Sequence, residues 1–555
     1  MKNQKPKWEN WQEYLLTEYR GWISTIFLLP LSVLFSIYFK WKQKWPVNPS
    51  KTWLKHEKGI NSIKEQLRQW REDGAKEKLC TGRSPWKTMS ELIPDKDRYR
   101  KINIDMDNIL EIDEDRQVVK VEPLVTMGQI TAALKGRGWT LTLVPELDDL
   151  TVGGLLMGFG VESSSHRYGL FQHICKSFSI LTPDGELRHA TPNENRDLYY
   201  LVPWSHGTLG FLVAAELKII PSNRFVRLEY QATFSPDQLV SVFESASQEK
   251  EKHHFVETLV FSKDKAVVMK GNLVDRPQKD GILNKIGRWH KPWFFKHVES
   301  YLEKGNGIEY IPLRQYYHRH TRSYFWEMRE IIPFGNNPWF RWLLGWAMPP
   351  HIQLLKRLQS ETIRKLRERF HVVQDMIVPI CFLKDSLEYL AKHYSLYPLW
   401  LCPLLIKDNE SGTGFIYPYQ SDKGNREELP FGTNSQSILK KENRNNEGHL
   451  DRSLPEELFV DIGIYGTPMV KSFEGNRELK NLEHFVIEHH GFQALYARTL
   501  LSEKQFRQMF DHKDYDRIRQ ELPYVKEAFE EVYTKLTKGR IQPDKKRKKV
   551  KQKAL

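Results

Sequence analysis

The pattern of apolar and polar positions changes character several times along the chain. From Trp22 to Phe39 no Asp, Glu, Lys or Arg interrupts an apolar run, and Trp22, Tyr38, Trp41 and Trp45 mark its ends. At 1.5 Å per residue this run makes about 27 Å of helix, enough to cross a bilayer core. Aromatic rings of this kind favour the two membrane interfaces. The pattern predicts a transmembrane anchor over 22–39. A cleaved signal peptide would need small residues at a cleavage site, and Lys40-Trp41-Lys42 follows instead; a monotopic or buried helix is the other alternative. Beyond the anchor, Ile60, Ile63, Leu67 and Trp70 recur at helical spacing. Lys78–Trp86 reads as a short strand entering a turn, and Lys101–Leu110 and Gln117–Val121 as strands. Val125–Arg137 reads as an amphipathic helix, Trp139–Val144 as a strand, and Phe178–Thr182 with Leu187–Ala190 as a hairpin around Pro183-Asp184-Gly185. Thr208–Ile220 is a long β-prone run closed by Pro221.

Mixed strands and helices up to about residue 222 imply one α+β region. A second α+β region runs from Arg224 to about Lys538, with helices at His351–Phe370 and Glu474–His490. The expected division is 1–45 with the anchor, 46–223, 224–538 and a basic tail 539–555. The polar, Gly- and Asn-rich stretch 409–457 reads as a disordered or surface insertion in the second region.

Charge changes this picture little. Lys and Arg number 84 against 70 Asp and Glu, a net +14. Half of that excess sits in Lys545–Lys553, a solvated tail pattern, so no nucleic-acid partner is required. Six lysines follow the anchor, against four Lys or Arg before it, which favours a body facing the cytosol. Lys551 and Lys553 near the end resemble a dilysine retrieval signal of the endoplasmic reticulum. The four cysteines are far apart and form no CxxC pair, so neither a disulfide framework nor a zinc site is indicated.

The densest chemical signal is Thr151-Val152-Gly153-Gly154-Leu155-Leu156-Met157-Gly158-Phe159-Gly160-Val161-Glu162-Ser163. Four glycines in eight positions let backbone approach a ligand closely, and free N–H groups can cradle a diphosphate. Val152, Leu155 and Leu156 could line a flat ring. No GxGxxG follows a strand, and there is no Walker loop, so neither classical nucleotide fold is supported. Thr81-Gly82-Arg83-Ser84-Pro85-Trp86 lies upstream, and Gly207–Pro221, opening Gly-x-x-Gly, lies downstream.

These three segments together resemble the FAD domain of the p-cresol methylhydroxylase and vanillyl-alcohol oxidase (PCMH-type) superfamily. Longer phrases look like the delta(24)-sterol reductase family within it. They are Val121–Gln129, Pro145–Leu155, Glu162–His166, Tyr168–Cys175, Gly207–Pro221, Lys291–Glu299, Tyr316–Arg322, Ile331–Pro338 and Asp461–Gly466. The likeness spans about residues 10–530. Asn409–Glu457 and the lysine tail look additional.

The resemblance implies a two-subdomain FAD-binding PCMH-type domain over 46–223 and an α+β substrate, or cap, domain over 224–538. It implies non-covalent FAD, NADPH as electron donor, and reduction of the C24–C25 double bond of a sterol side chain. Protonation at C24 puts positive charge on the tertiary C25, which hydride then quenches. Thr151–Ser163 is the implied cofactor segment, with Arg83 and Ser84 as further diphosphate candidates. Glu162, His320, Asp461 and Tyr465 are candidate proton donors. His318 and His320 would share a face on a strand, but no third and fourth ligand at a telling spacing suggests a metal. His173 and Cys175 read as packing residues. Implied partners are the sterol and membrane lipid, with assembly with itself or with other sterol-pathway enzymes left open. A different FAD-linked oxidase or dehydrogenase, a 24(28) isomerase–reductase, and a non-catalytic sterol-binding protein remain alternatives on the same fold. The aromatic residues Trp289, Trp293–Phe295, Phe325, Trp326, Trp339, Phe340, Trp342 and Trp346 read either as core or as a greasy entrance close to a bilayer.

Overall fold

The computed structural model describes residues 14, 18–43, 49–90, 95–358, 361–407, 414–418, 456–470 and 473–537. Most of the insertion, and the basic tail, therefore lie outside the described residues. Strands β1 (Leu79–Thr81) and β2 (Arg100–Ile102) form a small parallel pair. A six-stranded antiparallel sheet follows, built from β3 (Ile109–Asp113), β4 (Val118–Val121), β5 (Trp139–Leu141), β6 (Cys175–Leu181), β7 (Leu187–Ala190) and β8 (Phe211–Pro221). Its order is β3-β4-β8-β6-β7, with β5 also pairing β8. The long apolar β8 is buried over nearly its whole length, as its unbroken apolar run requires.

The nine-stranded second sheet comprises β9 (Phe225–Thr233), β10 (Phe255–Ser262), β11 (Lys265–Val274), β12 (Ile282–Leu283), β13 (Gly307–Pro312), β14 (Val372–Pro379), β15 (Leu399–Lys407), β16 (Glu456–Gly466) and β17 (Phe492–Gln493). Its order is β12-β13-β9-β11-β10-β15-β16-β14-β17. The chain passes from one sheet to the other between Pro221 and Phe225. Register places Glu257, Cys402 and Asp461 in one row across β10, β15 and β16, with Trp400, Gly463 and Asp375 in the next row on the same face. The turn Glu162–Tyr168 packs on this face through β15.

Local rules account for the helices. Thr126 caps Met127–Lys135 in a reciprocal box with Gln129. Pro49–Glu72 is longer than its apolar spacing alone suggests, and it buries Ile63, Leu67 and Trp70.

Four readings change. Residues 103–108 are not strand. His318 and His320 lie in turns after the helix Leu313–Tyr317, so no strand face unites them. The C-terminal helices return to the first sheet rather than staying with the second: Tyr515 bonds Thr208 at 2.6 Å, and Arg519 donates to the Thr208 carbonyl at 2.8 Å. Within the insertion, Phe415 is buried against His512 and Tyr515.

Among the described residues no helix is long and apolar enough to cross a membrane. The segment expected to span lies in one uninterrupted helical run from Arg20 to Gln43, with a π-turn at Ser24–Leu28.

Candidate cofactor seat and buried acid cluster

Thr151 has extended backbone and starts the short helix Val152–Met157. Two main-chain bonds dock this helix on the Val121–Gln129 segment: Gly153 N–H to the Pro123 carbonyl at 2.8 Å, and Val152 N–H to the Val125 carbonyl at 2.9 Å. The four glycines then separate by role. A Cβ on Gly153 would lie 3.0 Å from Pro123, one on Gly158 2.6 Å from the Gly154 carbonyl, and one on Gly160 2.8 Å from Phe171. These three let the chain pack on itself. Gly154 is exposed, and a Cβ there would meet only Thr151 Oγ1, at 3.2 Å. Gly154 is therefore where a ligand can touch the backbone. Val152, Leu155 and Leu156, expected to line a flat ring, point into the core instead, and Val161 is also buried. Met157 and Phe159 are the partly exposed apolar residues of this segment.

The flanking segments converge here. His206 N–H donates to the Met157 carbonyl at 2.9 Å, and Gly207, at φ +70°, lies beside Met157 Sδ and Lys535 Nζ. Trp204 and His206 share the left-handed region at φ 66° and 50°, the kind of strain that clusters at functional sites. Lys535, on the helix Val532–Thr537, donates to the His206 carbonyl at 2.6 Å. Lys96 donates to Thr81 O at 2.7 Å, to Thr81 Oγ1 at 2.9 Å and to Arg83 O at 2.6 Å, which fixes the Thr81–Trp86 loop. Arg83 donates to the Lys87 carbonyl at 2.9 Å and feels Asp149, while Ser84 only starts the turn Pro85–Lys87. Burial lowers Lys96 and Lys535 to about 8 each; Arg83 and Lys101 lower Lys96 further, and Lys96 and Arg519 lower Lys535 further. Lys535 lies beside Gly207 and Met157, and Lys96 and Arg83 belong to the upstream loop; cations of this kind suit an anionic diphosphate, so FAD would be held by Gly154 together with Arg83, Lys96 and Lys535. Neither lysine is visible as a cofactor residue in the sequence, because each lies outside any glycine motif.

The far end of the glycine run enters a buried network. Arg319 binds Glu162 Oε1 at 2.5 Å, and Glu257 twice at 2.7 Å. Trp400 Nε1 donates to Glu257 at 3.0 Å. Burial opposes ionisation of Glu257, but the Arg319 charge outweighs it and holds this carboxyl well below its usual range. Burial lowers His320 despite its 3.4 Å contact with Glu257, so the imidazole is neutral; it stacks on Phe325 at 4.3 Å. Ser163 bonds Tyr316 at 3.2 Å.

Beside Glu162, burial and the Glu162 charge push the Glu146 carboxyl well up, so Glu146 keeps its proton. That proton supplies the donor that Glu162 Oε2 otherwise lacks. Burial, then Asp375 and Glu146, push Asp461 well above the ordinary carboxyl value, and neither of its oxygens has a partner. Tyr465 donates to Asp375 Oδ1, and Tyr496 donates to Oδ2 at 2.8 Å. Burial nonetheless carries Asp375 up to about 6. Of the four sequence candidates, then, Glu162 is a paired acceptor, His320 a neutral stacked ring and Tyr465 a bonded phenol. Asp461 is a neutral acid with its proton uncommitted. Glu146, Glu257, Arg319, Asp375 and Tyr496 were not singled out from sequence, although the quoted phrases contain Glu146 and Arg319.

His173 is exposed and accepts from Leu170 N–H at 3.0 Å, whereas Cys175 is a buried thiol raised by burial and packs. Among the described residues no group of three or more His, Cys, Asp or Glu could hold a metal ion.

The profile of the FAD-binding domain family matches residues 90–191, which contain the whole glycine run, and this defines the chain as an FAD-binding protein. Human Delta(24)-sterol reductase is 46% identical over 530 residues, 95% of each chain. The Caenorhabditis elegans Delta(24)-sterol reductase homolog is 38% identical over 554 residues, 97% of this chain and 98% of its own. Arabidopsis thaliana Delta(24)-sterol reductase is 37% identical over 559 residues, 96% and 94%. The chain belongs to the delta(24)-sterol reductase family.

Proposed function

We propose that this chain reduces the C24–C25 double bond of a sterol side chain, with desmosterol to cholesterol as the type reaction and NADPH as electron source. The observation that carries the reading is end-to-end likeness to Delta(24)-sterol reductases, covering both sheets and the glycine run. Bound FAD supplies hydride-transfer chemistry that NADPH recharges. The chain's own contribution is the seat at Gly154 and a proton. An isolated trisubstituted alkene is unpolarised, so a general acid must commit its proton to C24 as charge develops on C25. Asp461 is the acid of choice, being neutral, dry and unpartnered. Arg319 binds Glu162 Oε1 at 2.5 Å, and burial with the neighbouring Glu162 charge keeps the proton on Glu146.

The body works on the cytosolic side of the endoplasmic reticulum, attached through Trp22–Phe39; the flanking lysines support this orientation. The test is anaerobic spectroscopy of the FAD-loaded protein. Flavin absorbance lost on adding NADPH should return with desmosterol but not with cholesterol. Recovery with neither sterol, while oxygen restores it, would favour an oxidase.

A further inference from the structure

Ten of the 21 large hydrophobic side chains left exposed among the described residues lie in two segments about 300 residues apart, Trp22–Ile37 and Trp339–Trp346, that touch each other. On the N-terminal helix, Gly21, Leu28, Leu29 and Ser32 are buried, while Ile26, Phe27, Leu31, Leu34 and Ile37 face outward. The second segment is Pro338–Leu344 with its continuation Gly345–Ala347. There Phe340 is buried, while Trp339, Trp342, Leu343 and Trp346 are exposed, at the i, i+3, i+4, i+7 spacing of one helical stripe. In water the outer stripe of a surface helix is polar. Both stripes here are apolar, with Phe27 65% exposed and Leu343 66%.

The two segments form one face. Arg20 pairs with Glu330 at 3.4 Å, Trp22 packs on Phe334 at 4.8 Å, and Phe334 stacks on Trp339 at 6.0 Å. The His351 N–H donates to Ser32 Oγ at 3.0 Å, and Phe35 meets the His351 ring at 5.3 Å. The N-terminal helix thus lies along the 330–351 segment from Arg20 to Phe35, about 22 Å. To cross a bilayer it would have to leave these contacts or carry Glu330, Asn336, Asn337 and Arg341 into the hydrocarbon core.

Cations border the same face. Arg341 donates to the His290 carbonyl at 2.7 Å, Arg322 to the Trp289 carbonyl at 2.6 Å, and the His290 ring stacks on Trp342 at 4.8 Å. Arg288 and Lys291 flank His290 in sequence. Anionic headgroups complement such a cluster, and indole rings favour the headgroup level. The face also adjoins the cofactor seat. Tyr324 donates to the Pro350 carbonyl at 3.3 Å, and His351 lies 3.9 Å from Asp149, two residues before Thr151.

We infer that Trp22–Ile37 and Trp339–Trp346, with the Arg288–Lys291 cations, form one monotopic platform that sinks into a single bilayer leaflet without crossing it. The platform delivers a lipid-dissolved substrate to the region of Asp149 and His351, beside the cofactor seat; this last point rests on the sterol reading above. The bound lipid class is an anionic phospholipid surface.

The test uses the full chain, FAD-loaded, in flotation with phosphatidylcholine vesicles with and without phosphatidylserine. Wild type should float, more strongly with phosphatidylserine. Trp342→Glu with Leu343→Glu should lower the bound fraction at least tenfold while flavin absorbance and thermal midpoint stay unchanged, since both side chains are exposed. In sealed microsomes, protease added outside should remove an N-terminal epitope tag together with the body. A double variant that floats like wild type, or a tag protected inside while the body is digested, overturns the platform. No step of the flotation involves turnover, so a failed sterol reaction in detergent would strike the reading above and leave this one standing.

Discussion

Replacing Arg319 with methionine tests the buried network most sharply. The guanidinium is fully enclosed and binds Glu162 at 2.5 Å and Glu257 at 2.7 Å. Removing one partner of a buried ion pair leaves an uncompensated charge and costs about 3–5 kcal/mol. The loss should also depend on pH. In the wild type Glu257 is held below its unfolded value, so its contribution is fully present above about pH 4.5 and is lost only as pH falls through the lower, folded value. In the variant the same buried carboxyl, without its cation, rises above the unfolded value. It then costs stability as pH climbs, by up to about 1.4 kcal/mol per pH unit. The gap between the proteins should therefore be smaller at about pH 5.5 than at about pH 7.5. The assay is denaturant unfolding of both proteins at both pH values. Adding Glu257→Gln to Arg319→Met should recover part of the loss at the higher pH. A loss below about 1 kcal/mol, or one independent of pH, would refute the charge argument.

Other substitutions divide cofactor seating from packing. Gly154→Val should raise the Kd for FAD at least tenfold with little change in the apo thermal midpoint, measured by flavin fluorescence and calorimetry, because a Cβ there meets only Thr151 Oγ1. Gly160→Ala should instead cost about 1–3 kcal/mol of stability, since its Cβ would press on Phe171 and Leu155. A Gly154→Val protein with normal FAD occupancy would misplace the seat. Lys535 binds an anion only when protonated, and burial brings it to about 8. FAD affinity in fluorescence titrations should fall as pH rises above 8, and Lys535→Met should flatten that fall. For stability the sign is opposite: a lysine lowered in the folded state makes the apoprotein gain stability as pH rises above 8 towards the unfolded value.

The segments proposed as the seat are legible in the sequence, because the glycine run, Thr81–Trp86 and Gly207–Pro221 each carry a local signature; the fold sets His206 and Gly207 against Met157 of the run. Lys96 and Lys535 could not be read that way. Lys535 is 329 residues from the carbonyl it holds, and no spacing rule links them. The same holds for Arg319, 157 residues from Glu162. Register across β10, β15 and β16, not any motif, puts Asp461 beside Cys402 and Glu257. The glycines of the run look equivalent as letters and differ only in what surrounds them. The N-terminal apolar run shows in composition, yet composition cannot reveal that one of its faces lies against Phe334 and His351.

The central claim is that this chain commits a proton to C24 of a sterol side chain while hydride arrives at C25. Its most direct test is turnover of desmosterol by the FAD-loaded protein with NADPH in heavy water, with the product located by mass and by carbon position. The account predicts cholesterol bearing one solvent deuterium at C24, and an Asp461→Asn protein that keeps its flavin spectrum yet turns over far more slowly. No conversion despite bound FAD, or solvent label at C25, would contradict it.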